Sequence, residues 1–292
     1  MRLLSRGADG EFSLVEHAGP NIPPYAILSH TWGPDNEEVT FQDPSTKSGK
    51  TKAGYEKLSF CATQAAKDYL QWFWIDTCCI DKSSSAELTE ALNSMFRWYH
   101  DSAQCYVFLS DVSADDFARD KQVFRRSRWF TRGWTLQELL APKFVEFFSR
   151  EGIWLGQKDS LLQELSAITG ISDKALRGVP LSTFSVGERF SWANGRETKR
   201  EEDMAYSLLG LFDVHMPLIY GEGKEKALRR LRREISDYPK PQLKLSPASN
   251  VPFNKDPDFV DRPDILAWIG ERCTGTSGAR VALVGLGGIG YV

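Results

Sequence analysis

The sequence contains few cysteines and no long hydrophobic run. Its five cysteines include no Cys-x-x-Cys pair and no spacing typical of a zinc site. We therefore expect reduced thiols, no metal site and a cytoplasmic location. No segment approaches the roughly 18 consecutive apolar residues of a membrane span. The N-terminal residues MRLLSRGADGEF lack the apolar core of a signal peptide, so we expect neither secretion nor a membrane span.

Neither sign of charge is in large excess. Lysine and arginine number 36 and aspartate and glutamate 39, which leaves a net charge of −3 at pH 7. A balance this close to zero produces no overall positive field, so we expect no nucleic-acid partner. The 292 residues are 41% hydrophobic, which is enough for a substantial core in one large domain or two ordinary ones.

Short apolar runs alternate with amphipathic helical patterns through the first half of the chain. The apolar runs are residues 25–30, 72–77, 105–110 and 143–148. Helical spacing of apolar residues covers 54–70 and 84–101, and Ser84 and Glu87 form a capping box before the second of these. The alternation predicts an α/β fold with a parallel sheet flanked by helices. Residues 1–24 are predicted to be an arm or an edge strand.

Polar and aromatic residues follow three of the predicted strands. Because the ligands of a parallel sheet bind outside the carboxyl ends of its strands, we expect these residues to meet at one rim. The substrate-binding candidates are Ser29, His30, Trp32, Asp76, Ser110 and Trp134. Structural alternatives stay open, since Trp32 could cover the sheet edge, Asp76 could cap a turn and Ser29 could bond the backbone.

The segment 127–140, SRWFTRGWTLQELL, predicts a turn followed by a short helix. Trp134 and Glu138 are four residues apart and share a helix face that is distinct from the face of the leucines. An indole beside a carboxylate partly desolvates it, which raises the pKa of the carboxyl group or requires a partner. Glu138 is therefore either an accessible, ionised carboxylate at the mouth of a cleft or an ion-pair partner of Arg128 or Arg132.

The second half of the chain changes from helical to proline-rich and then to glycine-rich. Helical spacing over 156–236 predicts an extension of several helices, one of them over 200–212. Residues 237–263 hold six of the fourteen prolines and predict a linker. Residues 280–284 then predict a strand that runs into a glycine-rich segment over 285–290.

Four glycines of that segment match two nucleotide-binding patterns at once. They are Gly285, Gly287, Gly288 and Gly290. They fit G-x-G-x-x-G and also the first six positions of G-x-x-x-x-G-K-[ST]. Both patterns need a following helix whose N-terminus meets a phosphate. Tyr291 and Val292 occupy the positions of the lysine and the hydroxyl residue, so we expect a degenerate site that does not bind nucleotide productively.

Three stretches of the chain together resemble the fungal heterokaryon-incompatibility (HET) domain. They are Tyr25-Ala-Ile-Leu-Ser-His-Thr-Trp-Gly33, Trp74-Ile-Asp-Thr-Cys-Cys-Ile-Asp81 and Arg128-Trp-Phe-Thr-Arg-Gly-Trp-Thr-Leu-Gln-Glu-Leu139. The segments 203–214 and 217–223 look like the helical region that commonly follows this domain. The resemblance implies an effector of programmed cell death in non-self recognition, a form of fungal innate immunity. It also implies self-association or homotypic signalling partners.

In this family the HET domain often stands at the N-terminus of a longer, NLR-like receptor with a nucleotide-binding oligomerisation domain. The resemblance therefore implies four parts in this chain. They are a HET domain over 1–155, a helical extension over 156–236, a linker over 237–263 and the truncated start of an NB-ARC/NACHT-like nucleotide-binding domain over 264–292. We interpret the sequence as a truncated receptor or a fragmentary gene product.

A more distant resemblance to TIR domains concerns the chemistry. TIR domains share the strand–helix order, a Leu-Ser at the end of the first strand, as in Leu28-Ser29, and a Trp-Cys-x-x-Glu-Leu helix. Here Trp134 and Glu138 keep that spacing, and Thr135 replaces the cysteine. In TIR domains that cleave NAD this glutamate is catalytic. The resemblance implies a TIR-like sheet, NAD as a substrate rather than a cofactor, and Glu138 as the catalytic residue of an NAD⁺ nucleosidase.

The alternative function is a non-enzymatic signalling adaptor that acts by homotypic assembly. It follows from the same family resemblance and does not require a working carboxylate. The sequence leaves both functions open.

Overall fold

A seven-stranded mixed sheet forms the centre of the described structure. The structure is a computed structural model and describes residues 1–17, 19, 21–43 and 48–237. The strands are β1 Arg2–Arg6, β2 Phe12–Glu16, β3 Tyr25–His30, β4 Trp72–Trp74, β5 Gln104–Phe108, β6 Val145–Phe148 and β7 Trp154–Gln157. Their spatial order is β2-β1-β4-β3-β5-β6-β7. The predicted linker from residue 238 onward and the glycines Gly285, Gly287, Gly288 and Gly290 lie outside the described residues, so the predictions made for them stay predictions.

The four central strands, β4, β3, β5 and β6, are parallel, which confirms the predicted α/β fold. Strand β3 pairs with β4 on one side and β5 on the other, so Ala26 is aligned with both Phe73 and Gln104. All six residues of β3 are buried. This explains why its sequence is a continuous apolar run rather than an alternating one, as expected for a strand covered on both faces.

Both edges of the sheet are antiparallel, which the apolar runs did not indicate. Strands β1 and β2 form a hairpin whose turn contains Gly10 at φ +82°, and β1 then pairs with β4. At the opposite edge, β7 pairs with β6 after a turn that contains Gly152 at φ +73°. A short turn can join neighbouring strands only in antiparallel order, and glycine supplies the positive φ. The edge strand predicted within 1–24 is confirmed, as part of a hairpin.

Within the described residues, six α-helices lie among or beside these strands, and the longest of them is capped largely as predicted. They are α1 Tyr55–Lys67, α2 Asp76–Cys79, α3 Ser85–His100, α4 Ala114–Arg119, α5 Gln122–Arg125 and α6 Thr135–Leu140. The Ser84 hydroxyl oxygen accepts a 3.3 Å hydrogen bond from the backbone N–H of Glu87, at the start of α3. The Glu87 carboxylate does not complete the capping box, because it accepts from the backbone N–H of Asp81 at 2.8 Å instead.

Short helices dominate the remaining described residues, which we call the helical extension (158–237). They are α7 Leu162–Thr169, α8 Asp173–Leu176, α9 Val186–Ser191, α10 Asp203–Tyr206, α11 Leu209–Phe212 and α12 Lys224–Asp237. The single helix predicted over 200–212 is in fact two, because the chain turns between α10 and α11. That turn brings Gly210 against Phe96 of α3, where a Cβ on Gly210 would lie 2.1 Å from the Phe96 Cβ.

A backbone bridge joins the helical extension to the turn before α6. The N–H of Gly133 donates to the carbonyl of Glu197 at 2.9 Å, and the N–H of Glu197 donates to the carbonyl of Thr131 at 2.6 Å. A Cβ on Gly133 would lie 2.4 Å from the Thr198 Cγ2, so this close approach requires glycine. The described residues belong to one compact unit. None of the helices described there is long and apolar enough to cross a membrane.

Candidate functional site

A cavity of about 740 Å³ lies where strands β3 and β4 end. The end of β3 and the turn after it contribute His30, Thr31 and Trp32, and α2, which follows β4, contributes Asp76 and Thr77. The volume falls within the range of roughly 300–1,000 Å³ that is typical of ligand sites. The rim predicted from the strand ends therefore surrounds a hollow, at the position where parallel sheets bind ligands.

Two further parts of the chain complete the polar wall of this cavity. The turn before α6 and α6 itself contribute Trp134, Thr135 and Glu138. The helical extension contributes Glu197, Lys199, Arg200, Asp203 and Tyr220. Sequence reasoning did not assign these extension residues to the site, although Asp203 and Tyr220 lie in the two segments that resemble the helical region following a HET domain. That resemblance was the available signal.

The floor of the cavity is apolar, and the sequence did not predict which residues form it. Helix α3 supplies Leu88, Leu92 and Met95, and β3 supplies Leu28. The helical pattern of α3 predicted that its whole apolar stripe is buried in the core. Leu88 and Leu92 are instead only partly buried, because this part of the helix faces the hollow.

Five of the predicted site residues lie in the cavity wall, and two do not. His30, Trp32, Asp76, Trp134 and Glu138 line the cavity, whereas Ser29 and Ser110 do not. Successive residues of a strand face opposite sides of a sheet. Leu28 and His30 face the cavity, so Ser29 between them faces the other way and is fully buried. Ser110 contacts Thr31, with 3.3 Å between the two hydroxyl oxygens.

Glu138 is held by a short chain of hydrogen bonds that begins at Trp129. All six residues of α6 are buried, and Glu138 is only 6% exposed. The Trp129 Nε1–H donates to the Ser29 Oγ at 2.8 Å, and the Ser29 hydroxyl donates to the Glu138 Oε2. Because the indole N–H already occupies the serine oxygen, the proton of the serine is directed at the carboxyl group.

Burial raises the pKa of Glu138 to about 8. Hydrogen bonds from Ser29 and Tyr99 and the positive charge of Arg196 act in the opposite direction and offset only part of this effect. At pH 7 the carboxyl group is therefore mainly protonated. The expectation of an accessible, ionised carboxylate is corrected, because the whole of α6 packs inside the protein.

The predicted ion pair of Glu138 with Arg128 or Arg132 is not present. Arg128 contacts Asp111 instead, with its Nε 3.4 Å and its backbone N 2.8 Å from the Asp111 Oδ2. The Arg132 guanidinium makes no hydrogen bond or ion pair within the described residues. Arg196 is buried nearby, but its Nη1 donates to the Thr135 Oγ1 at 2.9 Å. Glu138 thus has hydroxyl partners and no ionic partner in the part of the chain that the structure covers.

Trp134 connects the turn before α6 to the helical extension. Its Nε1–H donates to the Asp203 Oδ2 at 3.3 Å, and the Tyr220 hydroxyl donates to the Asp203 Oδ1 at 3.0 Å. Burial raises the pKa of Asp203. The hydrogen-bonding partner of the indole is therefore a carboxylate from the extension and not Glu138.

Trp32 is fixed at the opening of the cavity by two neighbours. Its Nε1–H donates to the Asp76 Oδ2 at 2.8 Å, and the Lys82 Nζ lies 3.6 Å from the centre of its ring. The side chain is nonetheless 40% exposed. A fixed, partly exposed indole provides a flat surface on which an aromatic ligand can stack.

His30 presents a buried nitrogen that has no partner among the described residues. Its Nε2 makes no hydrogen bond and lies 3.9 Å from the Asp76 Oδ1, which is too far for one. Burial, and next the charge of Lys57, lowers the pKa of His30 to about 3, so the imidazole is neutral at pH 7. Buried polar atoms are normally paired, which makes this nitrogen available to a ligand in the cavity.

The described cysteines do not supply a nucleophile to this site. The described cysteines Cys61, Cys78, Cys79 and Cys105 are free and buried, and burial raises the pKa of every one of these thiols. They are therefore protonated and poor nucleophiles. Within the described residues, no three His, Cys, Asp or Glu side chains are grouped so that they could hold a metal ion.

Comparisons with known proteins agree with the resemblance stated above. Residues 25–125 match the family model "Heterokaryon incompatibility protein (HET)". The chain is 58% identical over 241 residues to the vegetative incompatibility protein HET-E-1 of Podospora anserina. That alignment covers 80% of this chain but only 18% of the relative, so the chain spans less than a fifth of the relative's length. No solved structure matches, so the resemblance to TIR domains stays a prediction.

Proposed function

The chain carries a HET domain, and we propose that it is an effector of heterokaryon incompatibility that acts by cleaving NAD⁺ at Glu138. The observation that supports the proposal most directly is the state of that side chain. Glu138 is a buried carboxyl group with no ionic partner in the described residues, and it faces a cavity large enough for a nucleotide. A carboxylate with a purely structural role would be expected to have a cationic or backbone N–H partner.

The positive charge of the nicotinamide ring lowers the raised pKa of Glu138 when the substrate binds. A cation that enters the cavity beside Glu138 favours the ionised carboxylate and lowers its pKa. Binding therefore releases the proton of Glu138 to solvent and pairs the carboxylate with the substrate. The apolar floor and the Trp32 indole offer apolar surface to the flat ring.

The ionised carboxylate then stabilises the transition state of glycosidic cleavage. The bond between the ribose C1′ and the nicotinamide nitrogen breaks, and its electron pair stays on the nitrogen, which neutralises the ring. Positive charge develops on the ribose as an oxocarbenium ion, and the carboxylate of Glu138 stabilises it. Water adds to C1′ and loses a proton to solvent, so the products are ADP-ribose, nicotinamide and H⁺.

Ser29 acts in this reaction through Glu138 and not on the substrate. Its hydroxyl orients the carboxyl group and stabilises its ionised form, and Trp129 in turn orients Ser29. Supporting hydrogen bonds of this kind hold catalytic groups in productive geometry. Ser29 is therefore a positioning residue.

Nicotinamide release by artificially clustered protein tests the proposal. Wild-type protein should release nicotinamide from NAD⁺, and Glu138→Gln should lower the rate by at least about 100-fold, the usual scale for removing an electrostatic stabiliser. Glu146→Gln is the matched control, because Glu146 also has a pKa raised by burial but lies outside the cavity lining. It should retain the wild-type rate.

Equal release by wild type and Glu138→Gln would contradict the enzymatic proposal. Cell death on expression in a fungal host should then be measured for the same variants. Toxicity that survives Glu138→Gln but is lost on changing exposed helix surfaces would favour the non-enzymatic adaptor that acts by homotypic assembly.

A further inference from the structure

A second cavity, of about 590 Å³, adjoins the first at the protein surface. The two cavities share six residues of their walls, which are Thr31, Trp32, Asp35, Arg132, Glu197 and Lys199. We call the first the inner chamber and the second the outer chamber. The shared wall makes them adjacent parts of one groove, with the Trp32 indole at their junction.

The outer chamber has more positive than negative side chains. Arg128, Arg132 and Lys199 line it, against Asp35 and Glu197. The inner chamber has the opposite balance, because seven acidic side chains line it against the four basic side chains of Lys82, Arg132, Lys199 and Arg200. The groove therefore changes from a carboxylate-rich, apolar-floored end to a cationic end.

Arg132, like Lys199, lines both chambers. Its side chain is half-buried, and its guanidinium has no hydrogen bond or ion pair within the described part of the chain. A half-buried guanidinium without a partner has five unused donors in a planar fork, the arrangement that binds phosphate oxygens bidentately.

The other two cations can turn toward a ligand at little cost. Lys199 pairs with Asp35, and both side chains are more than half exposed. Arg128 pairs with Asp111 at 3.4 Å through a guanidinium that is 67% exposed. Exposed ion pairs of this kind contribute little to stability, so an incoming phosphate can compete for both cations.

We propose that Arg128, Arg132 and Lys199 form a binding site for the diphosphate of a dinucleotide whose positively charged base lies in the inner chamber. The position of the base in the inner chamber rests on the proposed function. The diphosphate site specifies the substrate class as a dinucleotide. A nucleoside without phosphate reaches only the inner chamber. A dinucleotide reaches both chambers, so its positively charged base meets the carboxylates of the inner chamber and its anionic diphosphate meets the cations of the outer chamber.

Kinetics with two substrates test the site. Arg132→Gln and Lys199→Gln together should raise the KM for NAD⁺ by about tenfold or more, the scale of one lost charge-assisted hydrogen bond, with little change in kcat. The KM for nicotinamide riboside, which has no diphosphate, should not change. Arg150→Gln is the control, because Arg150 is an exposed arginine paired with Glu151 outside both cavities.

Calorimetric binding of ADP-ribose separates this inference from the proposed function. Wild type and Glu138→Gln should bind it equally, and the Arg132→Gln/Lys199→Gln variant should bind at least about tenfold more weakly. If ADP-ribose binds in this pattern but no nicotinamide is released, the cleavage proposal fails and the diphosphate site stands. If wild type does not bind ADP-ribose, or if the double variant leaves both its affinity and the KM for NAD⁺ unchanged, the diphosphate site is overturned.

Discussion

Glu138 and Glu202, in two parts of the molecule, both have little exposed surface, yet their pKa values shift in opposite directions. Glu138, on α6 beside the inner chamber, is 6% exposed, and Glu202, just before α10 in the helical extension, is 7% exposed. Burial raises the pKa of Glu138 to about 8. Hydrogen bonds from backbone N–H groups, that of Gly223 foremost, lower the pKa of Glu202.

The difference lies in the donors that each carboxyl group meets. The Glu202 Oε1 accepts from the N–H of Gly221 at 2.8 Å and from the N–H of Gly223 at 3.0 Å. Both glycines have positive φ, +96° and +81°, which lets two N–H groups converge on one oxygen. Glu138 has only hydroxyl donors. At Glu202 the effect of burial is outweighed by fixed N–H donors, whereas at Glu138 burial is the larger effect and outweighs the hydroxyl donors.

The two carboxyl groups consequently have different uses. Glu202 is held ionised and fixes the turn that carries Tyr220 to Asp203 in the cavity wall. Glu138 is held mainly neutral at pH 7 and can change its charge when a cation binds beside it. The following predictions test this contrast, beginning with the largest expected effect.

The pH dependence of nicotinamide release should separate the two residues most clearly. Because only ionised Glu138 supports cleavage and the pKa of Glu138 is about 8, kcat/KM should rise by about 50-fold between pH 6 and pH 8 and then level off. Glu202→Gln should keep the same profile, since Glu202 is ionised throughout. A flat profile for wild type from pH 6 to 8 would remove the assigned role of Glu138.

Ser29→Ala should lower kcat/KM by about tenfold and move the pH profile to higher pH. The serine hydroxyl stabilises the ionised carboxylate, so its loss raises the pKa of Glu138 further. The pH profile is the decisive measurement, because a variant with merely disturbed packing would lose activity without a shift. Ser102→Ala serves as control, since Ser102 is also buried but its hydroxyl donates to the backbone carbonyl of Tyr99.

Glu138→Gln should stabilise the protein, and more so at high pH. The folded-state pKa of about 8 lies above the ordinary value of 4.5, so wild-type protein loses stability as pH rises through this interval, whereas glutamine does not titrate. We expect a melting temperature roughly 10 °C above that of wild type at pH 8.5, and a much smaller difference at pH 5. Thermal denaturation at the two pH values measures this, and an equal difference at both would argue against a raised pKa.

Glu202→Gln should have the opposite and smaller effect. The lowered folded-state pKa of Glu202 contributes stability above the unfolded-state value, and this contribution is lost as pH falls through the folded-state pKa. The glutamine oxygen can still accept both N–H bonds, so only the charge is lost. A melting temperature slightly below that of wild type at pH 7, with the difference disappearing as pH falls, is the expected result. Thermal denaturation that shows no convergence in acid would mean that the charge is not responsible.

Local patterns were sufficient to predict the central strands and most of the rim. The run Tyr25 to His30 is apolar because β3 is covered on both faces, and a polar turn marks its end. The topology rule for parallel sheets then placed His30, Trp32 and Asp76 together without coordinates. These inferences succeeded because each depends on residues that are close in the chain or on a rule of strand order.

Local patterns could not predict which side chains form hydrogen bonds with each other. Ser29 and Glu138 are separated by 109 residues, and Trp134 and Asp203 by 69. No periodicity relates positions this far apart, so the sequence could offer only generic alternatives, a nearby arginine for Glu138 or a backbone contact for Ser29. The antiparallel edges were missed for a related reason, since strand direction there is decided by short turns and not by apolar runs.

By itself, the sequence determined the α/β class, the positions of the central strands and the side of the sheet on which polar groups gather, because these follow from hydrophobic periodicity and chain order. Only the tertiary structure decided that Glu138 is buried without a counter-ion in the described residues and that the helical extension completes the cavity. The charge state of a carboxyl group depends on every dipole and charge within a few ångströms, and those neighbours are assembled from distant parts of the chain only when the protein folds.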